Sequence, residues 1–136
     1  MTLSEFIENN QVEHTENLIN SENIKILENT IGVPFGKELS NYVKIYGYLA
    51  YKHVELYGIN SKQMQGSDMV KQTVYLHTYF PKTNGFIALE NTGDGIYIIV
   101  SSIDEIFKYS SEEDRLTPTN LRLFDYILKR FQECDE

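Results

Sequence analysis

Three histidines, one cysteine and a Gly-Asp-Gly segment are where reactive chemistry would have to rest in this 136-residue chain. His53 and Glu55 stand two apart, so on a strand they share one face, and His-x-Glu is met in some metal sites. No third ligand at a recognisable spacing joins them, and neither HExxH nor CxxC occurs, so no metal and no cofactor is expected. His77 falls on an apolar helical stripe, where a hydrogen-bonded core histidine is the simpler reading, and His14 lies in a polar stretch. Cys134 sits among carboxylates, which raise a thiol pKa and argue against a nucleophile. Gly93-Asp94-Gly95 lacks the pattern of a phosphate loop or a calcium loop and reads as a hairpin turn. No G-x-S-x-G is present, and a non-enzymatic protein is expected.

What remains is charge and aromatic surface. The formal net charge is −8, and residues 1–30 carry six glutamates against Lys25 alone. Such a field repels nucleic acid and anionic membrane and steers a basic protein toward it. Lys129-Arg130 is the longest basic run. Ten tyrosines and seven phenylalanines are present, with no tryptophan, and tyrosine is a favoured interface residue. Strand alternation puts Tyr51 and Tyr57 on the face opposite Tyr48. The candidate binding residues are therefore Tyr51, Glu55, Tyr57, Glu90 and Asp94 on a sheet and its turn. Glu112, Glu113 and Asp114 join them from the loop before the last helix.

The elements that must position these residues follow from periodicity. Thr2 and Glu5 have capping-box spacing and open a helix over 4–10. Ser21 caps a helix carrying Ile24, Leu27 and Ile31, which Gly32 and Pro34 end. A second helix with Leu39, Val43 and Tyr46 closes at Gly47. Residues 48–57 alternate as one or two strands. Ser67 caps a helix over 68–79 with Met69, Val70, Thr73, Val74 and His77 on its inner face. Phe86 to Glu90 and Ile96 to Ser101 form a central hairpin around the Asp-Gly turn. Ile103 to Tyr109 reads as a further strand, with a helical turn capped by Ser102 as the alternative. Thr117-Pro118 opens a terminal helix with Leu121, Phe124, Ile127, Leu128 and Phe131 on one stripe. The sum is a single α+β domain: a twisted, mostly antiparallel sheet of four to six strands, helices mainly on one side, and a C-terminal amphipathic helix.

The order of residues in the helix pair adds to this. Ile24, Glu28, Ile31, Gly32 and Pro34, then a helix ending at Gly47, resemble the opening pattern of the SUKH superfamily, although Pro34 comes one residue early and Phe35 replaces the usual Leu. That superfamily holds bacterial immunity proteins related to the yeast cell-wall-synthesis regulators and to Syd. The resemblance covers about residues 20–132. It implies a cytoplasmic immunity protein that occludes the basic groove of a cognate toxin, of nuclease or deaminase type. A regulatory scaffold docking on a cellular protein is the alternative, and a homo-oligomer stays open. The acidic N-terminus has no basic or apolar leader segment, no run approaches a bilayer span, and the single cysteine suits a reducing compartment.

Overall fold

Thr2 opens α1 (Leu3–Asn9) as its spacing predicts: its hydroxyl accepts the Glu5 N–H at 3.1 Å and lies 3.2 Å from the Glu5 carboxylate. The structure, a computed structural model, describes residues 1–15, 19–59 and 68–136. The expected loop over 61–67, with its Ser67 cap, lies outside the described residues.

α2 (Ser21–Ile31) is capped one residue earlier than expected. Asn20 has the extended backbone of a cap, and its side chain and that of Asn23 accept each other's N–H at 2.9 and 3.1 Å. Ser21 is already inside the helix. Gly32 ends α2 in the left-handed region at φ 84°, donating to the Glu28 carbonyl. The Glu28 side chain then spans the corner and accepts the Phe35 N–H at 2.7 Å. That contact gives the Glu-x-x-x-Gly-x-Pro order its physical reason: the carboxylate fixes the direction in which the chain leaves the helix. α3 (Lys37–Ile45) follows, burying Leu39, Tyr42 and Val43.

β1 (Ala50–Tyr51) and β2 (Val54–Glu55) form a two-stranded ribbon around Lys52 and His53, with Lys52 at φ 53°. Glu13 pairs with Ala50 on the ribbon's other side. α4 (Met69–Tyr79) is capped by Asp68, whose carboxylate accepts the Lys71 N–H at 3.0 Å. A 3-10 turn over Pro81–Thr83 leads into the main sheet.

That sheet is antiparallel throughout, in the order β3 (Phe86–Asn91), β4 (Ile96–Ser101), β5 (Glu105–Ser110), β6 (Arg115–Arg122). The expected hairpin of β3 and β4 forms, but β3 is an edge strand and not central. Its outer edge is covered. The Ala88 N–H donates to the Thr73 hydroxyl at 2.9 Å, the Leu89 carbonyl accepts the Tyr57 N–H at 2.7 Å, and His77 Nε2 lies 2.8 Å from the Phe86 carbonyl.

Thr117 and Pro118 belong to β6, paired with Lys108 and Phe107, and not to the last helix. An outer strand tolerates a residue with no N–H to give the ladder. A bulge over residues 119–121, with Asn120 at φ 63°, returns the strand to register at Arg122. α5 (Leu123–Glu133) begins only there. It buries Leu123, Tyr126, Ile127 and Phe131, while Leu121 of the expected stripe stays on the strand. α1 and α3 pack on α5, and α4 runs along β3. Leu39, Leu49, Ile87, Ile99 and Phe131 are fully buried, and each such side chain contributes about 1.5–3 kcal/mol of burial.

Candidate functional site

Two turns at one end of the main sheet carry exposed carboxylates. In the β3–β4 turn, Gly93 and Gly95 adopt φ of 100° and 79°, which only the absence of a Cβ makes easy. The Asn91 side chain accepts the Gly93 N–H at 2.9 Å, and the Thr92 hydroxyl donates to Asp94 at 3.2 Å. The β5–β6 turn reaches across: the N–H and the hydroxyl of Ser111 both donate to the Gly95 carbonyl, at 2.9 and 3.1 Å. This clasp holds Asp94 beside Glu112, Glu113 and Asp114.

All four acids are exposed. Glu113 lies 3.3 Å from Arg115 and Asp114 lies 3.7 Å from Lys82, both in open water, where such pairs contribute little. Asp94 and Glu112 have no ion pair among the described residues. Asp114 also accepts the phenol of Tyr109. Burial, and then the Asp114 carboxylate, push that phenol up to about 12.

The other expected binding residues are elsewhere. Tyr51 and Tyr57 are not exposed, at 7% and 5% accessibility. The chain reverses at Lys52-His53, so alternation does not carry from one arm of the ribbon to the other. The Tyr51 ring packs on Phe6 and Phe131 at 5.3 and 5.5 Å, and its hydroxyl donates to Asp135. The Tyr57 backbone closes the edge of β3, and its carbonyl accepts the buried Tyr42 phenol at 2.7 Å. Glu90 is 3% exposed. A bulge between Ala88 and Glu90 sets Glu90 opposite Ile98, on the face covered by α5. There it pairs with Arg130 at 2.8 Å and accepts the Tyr126 hydroxyl at 3.3 Å. Glu55 is exposed, but on the separate ribbon. His53 occupies the exposed ribbon turn.

The sequence reading missed Asp104. Its carboxylate is 2% exposed and accepts the N–H groups of Glu38 and Leu39 at 2.9 and 3.0 Å, capping α3 from the β4–β5 turn. Gly36, in the cap position, has no side chain, and a Cβ there would overlap the Asp104 carboxylate. Glu38 in turn caps α5: it accepts the Phe124 N–H at 2.9 Å and pairs with Arg122 at 2.7 Å. The available signal was a helix start preceded by glycine, which needs a cap from outside.

It also missed the outer face of α4. The buried residues there are Met69, Thr73 and Leu76. Val74, expected inside, is 45% exposed, beside Tyr75 at 44% and Tyr79 at 66%. The two tyrosine rings lie 5.1 Å apart. Tyr75 also meets Phe80 at 6.2 Å, and Phe80 meets the buried Tyr109 at 5.6 Å, so the ring cluster leads inward from this face to the phenol that bonds Asp114.

An open groove of about 740 Å³ lies between α5 and the sheet end, with Ile96 and Ile98 beside Lys108, Lys129, Arg130 and Glu133. Its charges are of both signs, and Arg130 is committed to Glu90. Among the described residues no three His, Cys, Asp or Glu side chains gather as a metal site, and no helix is long and apolar enough to cross a membrane. What the surface offers chemically is charge, hydrogen-bonding phenols and shape. The family model SUKH_5, described as SMI1-KNR4 cell-wall, matches residues 3–132. No curated protein matches the chain.

Proposed function

The chain belongs to the SMI1-KNR4 (SUKH) family, and from that membership we propose that it is a non-enzymatic, cytoplasmic immunity protein that binds and occludes a cognate toxin. The observation that carries this reading is the clasp between Ser111 and Gly95, which gathers Asp94, Glu112, Glu113 and Asp114 at one sheet end. Four carboxylates held together in water concentrate negative potential where a basic substrate groove, such as that of a nuclease or deaminase, would meet it. Their role is recognition. The carboxylates buried in the fold already have partners, and these do not need to desolvate until a partner arrives.

Co-expression with a toxin encoded beside this chain tests the proposal. Rescue of growth, with binding that weakens as salt rises past the roughly 0.1 M at which the screening length is about 10 Å, is the expected result. Absence of rescue would count against toxin occlusion, and a tight complex indifferent to salt would remove the electrostatic half of the mechanism. Binding to a cellular protein with no toxin gene nearby would support the regulatory-scaffold reading, which the family description also fits.

A further inference from the structure

The geometry points to the outer face of α4 as the anchor of the partner interface, with Tyr75 and Tyr79 as the residues that a basic protein surface seats upon. This rests on the toxin-binding reading and adds the surface to it. Three of the large apolar side chains exposed on the molecule, Val74, Tyr75 and Tyr79, fall within one arc of about 140° on this single helix. The opposite side of α4 is also apolar, with Met69 and Leu76 in the core. A helix apolar on both sides is ordinarily covered on both.

Charge complementarity names the occupant. The phenol face reaches the acidic sheet end at one junction. Tyr75 meets the half-buried Phe80, and Lys82, two residues further on, lies 3.7 Å from the Asp114 carboxylate. Lys82 at this junction is bound to the Asp114 carbonyl at 2.8 Å, which leaves Lys71 as the basic residue on the arc. Two tyrosine faces near the turn that carries Glu112, Glu113 and Asp114 suit arginine or lysine side chains, whose cations are attracted by the rings and whose heads reach toward the carboxylates. Tyrosines in the centre and charge at the rim is also the usual division of labour in protein interfaces.

The test titrates the full chain, wild type or variant, against the catalytically inactivated neighbouring toxin. Tyr79→Arg, and separately Tyr75→Ala with Tyr79→Ala, should weaken binding by about 100-fold or more, with circular dichroism and thermal unfolding unchanged for Tyr79→Arg. Ile26→Ala, at an exposed apolar site on another helix, should leave affinity unchanged. Wild-type binding that survives both tyrosine variants would overturn this surface while leaving toxin binding intact. If wild type does not bind the toxin, the proposed function falls, and NMR titration with a hexa-arginine peptide decides the surface. Saturable shifts of the Tyr75 and Tyr79 ring signals, absent with hexa-glutamate, would support it. No shift with hexa-arginine would overturn it.

Discussion

At the joint between α3 and α5, Asp104 and Glu38 accept three backbone N–H groups and face Arg122. At the far turns of the sheet, Asp94 and Glu112 face water with no ion pair among the described residues. The groups are chemically alike, and their surroundings decide their use. A carboxylate near helix N–H groups is consumed by the fold, because those donors have no other partner. One on a hairpin tip, where the turn satisfies its own backbone, is left free for something else. Sequence charge counts treat the two alike, which is why Glu90 was expected at the surface and Asp104 was not singled out.

The contrast breaks most visibly at Asp104. Asp104→Ala leaves two helix N–H groups without an acceptor in a buried place and should cost about 3 kcal/mol in urea or thermal unfolding. Next is Glu90→Ala, which strands the part-buried Arg130 and should cost about 2 kcal/mol; adding Arg130→Met should recover part of that loss. Gly36→Ala should cost a comparable ~2 kcal/mol through overlap with Asp104, and much less in an Asp104→Ala background, since the colliding group is then gone.

Alkaline pH probes the tyrosines that straddle the two regions. The Tyr57 and Tyr109 phenols are raised to about 12, by burial first, with the Tyr97 and Glu90 charges adding for Tyr57 and Asp114 for Tyr109. A raised folded pKa means stability that is whole below the unfolded phenol value near 10 and is lost as pH climbs from there toward about 12. Ultraviolet titration should therefore show these phenols ionising late, together with unfolding. The smallest effect belongs to the exposed acids of the two turns. Asp94→Asn with Glu112→Gln and Glu113→Gln should change stability by less than about 0.5 kcal/mol. The same variant should flatten the salt dependence of partner binding, which buried-carboxylate variants that still fold would leave alone.

Much of the architecture was legible because it rests on local signals. The Thr2 cap, the Gly32 terminator, the Asp94-Gly95 hairpin and the α5 positions Ile127 and Phe131 are each written within a few residues. The errors share a cause too. Pro118 looks like a helix start until one knows that β6 is an outer strand, and Tyr51 looks exposed until the chain is seen to turn back at Lys52. Of the candidate site, the acids of the two turns were found by composition. Their adjacency was not, because it depends on Ser111 reaching Gly95 across the sheet end. The phenols of α4 are hard to see in the sequence because Val74 is expected on its inner side, where of the two only His77 belongs, 2.8 Å from the Phe86 carbonyl.

The long-range caps of α3 and α5 also order events on the ribosome. The acceptor that starts α3 lies 66 positions further along, and the carboxylate that starts α5 sits 86 positions before the N–H it accepts. In a nascent fragment that stops before the β4–β5 turn, the α3 start lacks its native acceptor, while Glu38 waits with no α5 start to cap. Residues 37–45 must therefore wait as a poorly anchored segment until synthesis has passed Asp104. Acquisition of the native state is thus a late, concerted event, and any competence to engage a partner arrives with it.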